Sequence, residues 1–407
     1  MKTGAIALDA QLPRGRLVGF ELARALVPLR KRWVSEAGTF SQRDSLLVRA
    51  VVSFENENGG RAEVEGWGEC TALPEPTYSA EYTAAAALVS ERYLAPALLR
   101  ARVGRATEVA PALGGVRGHN MAKAAFEAAM LDAELRNAGL RLADFLSAAS
   151  RFGSRTGQPP KDAVVAGAAV GLTNSLGELL DEVGQRTEAG YLRVKLKIAP
   201  GWDDEPLGAV RQRWPELVLF ADANGSYARL SMAEAAKELA RLDRHGLTCL
   251  EQPLGDDDLA GHAELARQVR TPVCLDEALT SVATLVAALD LGACSVVNIK
   301  AGRLGGLLEA VRAHDLCAER GVPVWCGGMV ETGVGRAANL ALSTLPNFSL
   351  PGDLSASSRF FETDLTDELD LSPDGTIAVP RGPGSGVTVN SAALTRFSTW
   401  RQWCPTE

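Results

Sequence analysis

The chain has no long hydrophobic run and no excess of basic residues. None of its apolar stretches approaches the ~20 residues that a helix needs to cross a bilayer, and its first residues, MKTGAIALDAQL, lack the apolar centre of a signal peptide. The 42 Lys and Arg residues against 50 Asp and Glu residues give a net charge of −8, which indicates no basic face for nucleic acid. We therefore expect neither a membrane nor a nucleic acid as a partner.

The sequence is also poor in the residues and motifs of several common sites. Its seven cysteines are odd in number and scattered, with no CxxC pair, and its four histidines form no cluster. Neither a disulfide framework nor a zinc site is therefore indicated, and a reducing cytoplasm is the expected location. No GxGxxG or Walker sequence follows a strand-like run, so nucleotide binding is unsupported.

Residues 1–160 have the pattern of a small α+β domain, and at 407 residues the chain is long enough for two domains. The β-rich segments SLLVRAVVSF and RAEVEGWGEC flank a turn-like ENENGG. One helix is predicted over residues 79–99, with Ser79 as N-cap and Glu81 in its first turn. A second is predicted over residues 121–139, with Gly139 as its C-cap. The Gly, Pro and Ser residues of segment 150–162 indicate a domain boundary.

Residues 161–354 change to a regular alternation of apolar runs and helical segments. The eight strand candidates read VVAGAAVGL, LRVKLKI, LVLFADA, LTCLEQP, PVCLDEA, CSVVNIK, VPVWCGG and NFSLPGD. Such an alternation implies a parallel sheet buried on both faces, and eight units fit a closed β/α barrel better than an open sheet. Residues 355–407 lack this repeat and read as a hairpin with a Gly/Pro-rich loop, which could fold back onto the first domain.

Charged residues stand inside these apolar strands, where burial is costly unless the charge is paired or binds a metal. Lys195 and Lys197 are two residues apart and share one strand face, while Val194, Leu196 and Ile198 would face the helices. An isolated KxK would usually be a solvated strand face. With these apolar alternates, we expect the lysines to face the barrel interior.

Three carboxylates, Asp222, Glu251 and Asp276, end successive strand candidates at roughly the spacing of one βα unit. Each alone could be a salt-bridge partner or a helix cap. In a barrel the carboxyl ends of the strands meet at the active-site face, and converging carboxylates repel unless a hard divalent cation binds them. Oxygen-only ligation suits Mg²⁺ or Mn²⁺.

Lys300 ends the next strand, across the barrel from the lysine pair. A cation that binds a substrate carboxylate would acidify the adjacent α-proton by stabilising the enediolate that its removal forms. A lysine close to other cations would have its pKa lowered toward the working pH, which suits a general base. Arg303 could add to that lowering, or could form only a surface salt bridge.

Taken together, these motifs resemble the enolase superfamily. KLKIAPGWD, DANGSY, EQPL, CLDEAL and NIKAGRLGG resemble its muconate-lactonising subgroup. Within that subgroup, WGECTALPEPTYSAEY, GHNMAKAAFEAAMLDAELR, the segment from VWCGGMVETGVGR to PGDLSAS, and VPRGPGSGV resemble the o-succinylbenzoate synthase and N-acylamino acid racemase family. The resemblance covers nearly the whole chain and is weakest in the first forty residues.

The resemblance implies an α+β cap, built from residues 1–160 and 355–407, over a (β/α)₇β barrel in residues 161–354. It implies Mg²⁺ (or Mn²⁺) held by Asp222, Glu251 and Asp276. Lys197 and Lys300 would then be the catalytic pair, with Lys195 in support. The expected substrate-binding residues are Asn224, Tyr78, Arg303, Gly327, Met329 and Glu331. Segments near Tyr78 and residues 36–40 would close over a small-molecule carboxylate substrate, and a homo-oligomer is expected.

Three departures from the family pattern bear on the substrate, and one of them is the loop VSEAGTFSQRDSL, in which an aromatic residue before the glycine is more usual. Ala169 stands where relatives often carry a serine, which removes a possible hydroxyl contact, and Ala278 replaces the serine of DES. The leading hypothesis is an N-acylamino acid racemase, an o-succinylbenzoate synthase, or both, with Arg303 beside Lys300 favouring the racemase. Dipeptide epimerase or muconate cycloisomerase activity is the alternative. A non-catalytic barrel is a third reading, which the intact set of lysines and carboxylates makes improbable.

Overall fold

The computed structural model describes residues 12–35, 38–56 and 58–406. Within them the strands are β1 (Arg16–Ser35), β2 (Gly38–Glu55), β3 (Arg61–Cys70), β4 (Ala163–Val165), β5 (Gly167–Val170), β6 (Arg193–Lys197), β7 (Val218–Asp222), β8 (Leu250–Glu251), β9 (Val273–Leu275), β10 (Val296–Ile299), β11 (Val324–Cys326), β12 (Thr376–Ala378) and β13 (Ser398–Pro405). They form a four-stranded antiparallel sheet, a seven-stranded parallel sheet and a two-stranded ribbon.

The α-helices of the same residues begin after β3. They are α1 (Thr83–Val89), α2 (Ala95–Ala101), α3 (Val109–Ala112), α4 (Asn120–Ala138), α5 (Leu142–Ala149), α6 (Arg151–Thr156), α7 (Leu176–Glu188), α8 (Asp204–Arg213), α9 (Met232–Arg241), α10 (Leu259–Ala266), α11 (Val282–Leu291), α12 (Ala301–Leu304), α13 (Leu307–Glu319), α14 (Gly333–Leu342), α15 (Ser357–Phe360) and α16 (Ser391–Phe397). A π-helical turn, Ser90–Leu94, joins α1 to α2. None of the helices in the described residues is long and apolar enough to cross a membrane.

The antiparallel sheet has the strand order β13-β1-β2-β3, so the last strand of the chain pairs with the first. Strands β2 and β3 confirm the predicted hairpin. Helix α4 packs directly on β3, because a Cβ at Gly66 or Gly68 would lie 2.1 or 2.0 Å from a backbone carbonyl oxygen of α4. The helix ends, as predicted, at Gly139, whose φ of +66° suits glycine.

The predicted start of the first helix is wrong. Helix α1 begins at Thr83 with Tyr82 as its N-cap, and the Ser79 hydroxyl instead donates to the Glu81 carbonyl oxygen at 3.0 Å. The Glu81 carboxylate caps a different helix: it accepts from the backbone N–H groups of Met121 and Ala122, both at 2.8 Å, in the first turn of α4. A capping carboxylate thus acts on a helix that is distant in sequence, which local spacing cannot show.

The parallel sheet has the order β5-β6-β7-β8-β9-β10-β11, with helices packed against it, and confirms the expected α/β barrel. Val194 and Leu196 of β6, and Ile198 directly after the strand, are buried in the layer between strands and helices. Their neighbours Lys195 and Lys197 therefore face the barrel interior. The curled sheet places the carboxyl ends of all seven strands at one rim of the barrel.

The eighth predicted strand, NFSLPGD, is not a regular strand. Residues 347–354, here called the closing segment, make a single bridge from Phe348 to Val324. The Asp353 N–H donates to the Cys326 carbonyl oxygen at 2.9 Å, and the Gly167 N–H donates to the Leu354 carbonyl oxygen at 3.3 Å. The closing segment thus spans the gap between β11 and β5. Pro351 lacks an N–H, which interrupts a regular ladder.

Carboxylates from the N-terminal part of the chain bind the amino ends of two barrel helices. Glu127 of α4 accepts from the Leu308 N–H at 3.0 Å, at the start of α13. Glu69 of β3 accepts from the N–H groups of Thr332, at 3.1 Å, and Gly335, at 3.0 Å, at the start of α14. The first N–H groups of a helix have no partner within it, so these hydrogen bonds satisfy them and fix the cap on the barrel. The domain boundaries at residues 160 and 354 stay predictions.

Candidate active site

Lys195 lies at the centre of a group of carboxylates at the rim of the barrel. Its Nζ is 2.8 Å from Asp222, 2.7 Å from Glu251 and 2.6 Å from Asp353, and the residue is 3% exposed. Lys197, the last residue of β6, has its Nζ 2.7 Å from Asp222 Oδ2. The β6 backbone therefore places two ammonium groups against the same carboxylate.

The three predicted metal ligands end neighbouring strands and are almost fully buried. Asp222 ends β7, Glu251 ends β8 and Asp276 follows β9, with exposures of 1%, 0% and 1%. Glu251 accepts from Asn298 of β10 at 2.8 Å as well as from Lys195. These strands lie side by side, so the three carboxylates share one sector of the rim.

Lys300 lies on the other side of that sector. It follows β10, and its Nζ is 2.8 Å from Asp276 Oδ2 and 2.9 Å from the hydroxyl oxygen of Tyr78, whose ring it also faces at 4.7 Å. In the strand order, β6 with Lys197 and β10 with Lys300 enclose the carboxylate-bearing β7, β8 and β9. The two lysines therefore approach the cavity from opposite sides.

The pKa of Lys300 differs from the sequence-based expectation. Burial is the largest single effect and disfavours its ammonium form, and Arg303 acts in the same direction, but Asp276, Tyr78 and Glu277 together raise the pKa above the usual value. Burial likewise opposes the charge of Lys195, yet Asp222, Asp353 and Glu251 raise its pKa. The expected lowering of the Lys300 pKa is therefore wrong for this arrangement, because the nearest charge to Lys300 is negative.

Burial and neighbouring charges shift the pKa values of the carboxylates in opposite directions. Burial and the neighbouring Asp222 raise the pKa of Glu251 well above its ordinary value. For Asp222, burial acts in the same direction, but Lys195 and Lys197 outweigh it and hold the pKa below its usual range. Three buried carboxylates this close need more positive charge than the lysines alone supply if all are to be ionised.

The donor set fits a hard divalent cation by its chemistry. Three carboxylates on adjacent strands offer only oxygen atoms, which Mg²⁺ and Mn²⁺ prefer. As the side chains stand, however, no group of three His, Cys, Asp or Glu residues in the described part of the chain encloses a metal position. Lys195 joins two of the carboxylates, while Lys300 and Arg303 hold the third at 2.8 and 2.6 Å. Metal binding would therefore require these ion pairs to rearrange.

A cavity of about 330 Å³ opens above these residues. Four of the predicted substrate-binding residues line it: Tyr78, Asn224, Met329 and Glu331. In the described N-terminal part of the chain its lining comes from Leu73, Thr77 and Tyr78. Residues 36–40 were also predicted to close over the substrate. Of these, residues 36 and 37 lie outside the described residues, and Gly38–Phe40 begin β2.

Arg303 and Gly327 are not part of that lining, within the residues described. Arg303 is buried behind Asp276, with one Nη 2.6 Å from Asp276 Oδ1. Gly327 lies beside Lys300: a Cβ there would be 2.4 Å from Lys300 Cε and 2.4 Å from Asn298 Oδ1. Both residues therefore contact the lysine and carboxylate groups at the rim, and their predicted role in substrate binding stays a prediction.

The structure adds residues that the sequence patterns did not single out. Glu277 lines the cavity, accepts from Asn224 Nδ2 at 2.6 Å, and has its pKa raised to about 7 by burial and by Asp276. Gln252 accepts from the Asp276 N–H at 3.0 Å and so joins the ends of β8 and β9. Its place in EQPL, directly after Glu251, was the available signal.

Strained backbone marks the same rim. Asn224, Gln252 and Val330 have φ angles of +42°, +41° and +55°, and all three line the cavity. A positive φ is costly for a β-branched residue such as Val330. Glu69 binds Thr332 and Gly335, and Glu331 accepts from the Met329 N–H at 2.6 Å, so the loop after β11 is held in this conformation from both sides.

Three more charged residues line the cavity. Asp353 of the closing segment pairs with Arg193 and Lys195, while Arg336 and Arg359 line the cavity wall. Burial and Arg186 lower the pKa of Arg359 to about 10. In a sequence, arginines in amphipathic helical segments resemble surface residues. The available signal for Arg359 was the pair Phe360 and Phe361 directly after it.

Residues 178–393 match the family described as enolase C-terminal domain-like, which is more than half of the chain. The chain belongs to this family, and it is an enzyme of the enolase superfamily. It is 48% identical to an N-succinylamino acid racemase of an Amycolatopsis species, over 95% of this chain and 99% of the relative. It is 40% identical to an o-succinylbenzoate synthase of Geobacillus kaustophilus, over 91% of this chain and 92% of the relative.

Solved structures show the same fold. An enolase-superfamily member from Enterococcus faecalis V583 superposes with a TM-score of 0.84 at 34% identity, over 96% of this chain and 99% of the other. A muconate lactonizing enzyme from Pseudomonas fluorescens superposes with a TM-score of 0.82 at 21% identity, over 94% and 99% of the two chains. The second likeness shows the fold alone.

Proposed function

We propose that this enzyme removes and returns the proton α to the carboxylate of N-acylamino acids and thereby racemises them. The observation that carries the proposal is the placement of Lys197 and Lys300 on opposite sides of the carboxylate-bearing strands. An α-carbon held between them presents one face to each ammonium or amine group. The 48% identity to an N-succinylamino acid racemase supports the same class of substrate.

Asp222, Glu251 and Asp276 would hold Mg²⁺ (or Mn²⁺) in this proposal. The cation supplies positive charge to the substrate carboxylate, which stabilises the enediolate relative to the ground state. The chain itself positions the ligands: Asn298 and Lys195 orient Glu251, and Gln252 and Arg303 orient the segment that carries Asp276. Lys195 is thus a positioning residue for the ligand set and for its neighbour Lys197.

Proton transfer in two directions requires one lysine to start as an amine and the other as an ammonium group. Each lysine bonds one of the outer carboxylates, Lys197 to Asp222 and Lys300 to Asp276. Such a contact stabilises the ammonium form, which donates a proton, and loss of the contact favours the amine, which accepts one. Asp276 can therefore set the protonation state of Lys300.

The second candidate is o-succinylbenzoate synthase activity, in which Lys197 would remove the proton that starts a dehydration and Lys300 would stabilise the enediolate. The observation that favours it is the contact of Lys300 Nζ with Asp276 Oδ2 at 2.8 Å, because a lysine that a carboxylate keeps charged stabilises negative charge without accepting a proton. The 40% identity to a synthase is consistent with it. Dipeptide epimerase and muconate cycloisomerase activities are further alternatives, which a panel of dipeptides and muconate would test.

The deciding experiment follows exchange of the α-proton in D₂O. With Mg²⁺ present, the purified enzyme should exchange the α-proton of both enantiomers of an N-succinylamino acid, measured by ¹H NMR, and each enantiomer should racemise. Exchange of a single enantiomer would contradict the two-base proposal and favour the synthase assignment. Absence of exchange for every N-acylamino acid would contradict both the racemase and its substrate class.

Replacement of either lysine should affect the α-proton exchange of one enantiomer and not of the other. Lys197→Ala should abolish exchange of one enantiomer and Lys300→Ala that of the other, because each base faces one side of the α-carbon. The loss should be about 10²- to 10⁴-fold, the usual contribution of a positioned acid or base. The exchange that each variant keeps with the opposite enantiomer is the control for folding. Equal loss of both enantiomers in both variants would contradict separate roles.

A further inference from the structure

Lys195 contacts three carboxylates, of which two are expected metal ligands and the third is not. Its Nζ lies 2.8 Å from Asp222 Oδ2, 2.7 Å from Glu251 Oε2 and 2.6 Å from Asp353 Oδ2. The single positive charge of the ammonium group is thus shared among three negative charges. Because a divalent cation and the ammonium group compete for the same oxygen atoms, Asp222 and Glu251 can bind a metal only if Lys195 weakens its contacts with them.

Asp353 approaches Lys195 from the opposite side of β6 in the order of strands. In the parallel sheet β6, which carries Lys195, lies between β5 and β7. Asp222 and Glu251 end β7 and β8, whereas Asp353 belongs to the closing segment, which bonds to β11 and to the start of β5. The ammonium group of Lys195 can therefore keep its contact with Asp353 while it moves away from the expected metal ligands.

The backbone at Asp353 is packed directly against the end of β11. The Asp353 N–H donates to the Cys326 carbonyl oxygen at 2.9 Å. A Cβ at Gly352 would lie 2.6 Å from that same oxygen, and a Cβ at Gly328 would lie 2.4 Å from the Asp353 carbonyl oxygen. Glycine at these two positions allows the closing segment and the loop after β11 to approach each other this closely. The barrel therefore fixes the place of the Asp353 carboxylate.

Arg193 holds the other oxygen atom of the same carboxylate. Its guanidinium pairs with Asp353 Oδ1, and its side chain is 0% exposed. The guanidinium carbon lies 4.0 Å from the ring centroid of Phe220 and 4.9 Å from that of Trp325. Packing against two aromatic rings restricts the guanidinium, which keeps Oδ1 on Arg193 and leaves Oδ2 for Lys195. Asp353 is therefore oriented toward Lys195 before any metal binds.

From this arrangement we infer that Asp353 is a positioning residue for metal binding, which retains the ammonium group of Lys195 when Asp222 and Glu251 bind a divalent cation. This inference rests on the proposed function, because it requires the expected metal site. Without the charge of Asp353, the ammonium group would bind Asp222 and Glu251 more strongly and would compete better with the cation. Asp353 thus raises the metal affinity of the site through Lys195.

The first test measures the affinity of the substrate-free enzyme for Mg²⁺ by isothermal titration calorimetry. Asp353→Asn keeps the shape of the side chain and removes its charge, and it should raise the dissociation constant for Mg²⁺ about tenfold or more. Asp256→Asn is the matched control at an exposed carboxylate of the same cavity. It should change the constant by less than about twofold, because solvent screens an exposed charge. An unchanged constant in Asp353→Asn would overturn the inference.

A double-mutant cycle separates action through Lys195 from a direct effect of the lost charge on Mg²⁺. In a Lys195→Met background, Asp353→Asn should change the dissociation constant for Mg²⁺ by less than about twofold, because the residue through which Asp353 acts is absent. A rise as large as in the enzyme that keeps Lys195 would show that Asp353 acts on the cation directly. That result would also overturn the inference.

A third measurement needs no variant. A crystal structure of the unaltered enzyme with Mg²⁺ should keep Lys195 Nζ within about 3.2 Å of Asp353 Oδ2 and show it farther than about 3.5 Å from at least one of Asp222 Oδ2 and Glu251 Oε2. Loss of the contact between Lys195 and Asp353 would overturn the inference while leaving the proposed racemase intact. Failure of the unaltered enzyme to bind Mg²⁺ would instead overturn the metal site of the proposed function, so the two failures are distinguishable.

Discussion

At the scale of single residues, Gly327 shows how closely the bases are packed. A Cβ at this position would lie 2.4 Å from Lys300 Cε and 2.4 Å from Asn298 Oδ1, distances that real Cβ contacts do not reach. The side chain of Lys300 can therefore reach Asp276 and Tyr78 only because residue 327 has no side chain. The glycine acts through Lys300 and does not need to touch the substrate.

Gly327→Ala should lower kcat for α-proton exchange at least tenfold, because Lys300 must leave its position to relieve the contact. Overpacking should also lower the free energy of unfolding by about 1–3 kcal/mol. Exchange of the enantiomer served by Lys300 should fall more than exchange of the other. Gly115→Ala, where an added Cβ meets nothing within 4 Å, is the control and should change neither quantity. Unchanged kcat in Gly327→Ala would contradict the role assigned to this glycine.

The sequence predicted which charged residues meet at the rim of the barrel, but it did not predict their protonation states. Charges in apolar strands predicted that Lys195, Lys197, Asp222, Glu251 and Asp276 would meet at one rim, and the structure brings them together. The roles of these residues stay predictions. The pKa of Lys300 was expected to fall, yet it rises, because its direction depends on a contact with Asp276 that spacing alone does not define.

At the scale of elements, strands β7, β8 and β9 each lead to one carboxylate, and we expect the three together to bind the metal. Removal of divalent cations with EDTA should abolish exchange, and Mg²⁺ should restore it. Mg²⁺ should also raise the melting temperature, because a ligand that binds only the folded state stabilises it.

Asp222→Asn should remove most of that Mg²⁺-dependent rise in melting temperature, whereas Asp256→Asn should keep it. Asp256 is an exposed cavity residue in the loop after β8, so it provides a carboxylate change without loss of a strand-end ligand. A melting temperature that responds equally to Mg²⁺ in both variants would place the metal elsewhere.

The strands were predictable within the repeat of strands and helices, but the segment after the repeat was not. The seven parallel strands are apolar runs with β-branched residues between helices, and each was found from that pattern. The closing segment was taken for an eighth strand because it has the right length and position. It is held instead by single backbone contacts and by ion pairs of Asp353 with Arg193 and Lys195. Arg336 and Arg359 were missed because tertiary packing alone brings them to the cavity.

At the scale of the whole molecule, Glu127 joins the cap to the barrel. It is 1% exposed and accepts from the Leu308 N–H, while burial raises its pKa to about 7. Because its folded pKa is above the unfolded value of 4.5, the folded protein loses stability as pH rises from about 4.5 to about 7. The full effect is about 3 kcal/mol, from the shift in pKa.

Glu127→Gln should remove this pH dependence, since an amide keeps the hydrogen bond and carries no charge. The free energy of unfolding, measured in urea, should match that of the unaltered protein at pH 4.5 and exceed it by about 3 kcal/mol at pH 7.5. Glu319→Gln, a change at an exposed carboxylate at the other end of α13, is the control and should leave the pH profile unchanged. A constant difference at both pH values would contradict the assignment.

The pairing of β13 with β1 has a consequence for synthesis of the chain. The sheet begins with β1, which is made early, but one of its edges is supplied by Ser398–Pro405, which are made much later. Strand pairing across nearly the whole chain has a large loop-closure cost and forms slowly. During translation β1 therefore has β2 on one side and an unpaired edge on the other. Premature termination a few residues early would leave that edge open to strands of other chains, so aggregation of truncated products should exceed that of the full chain.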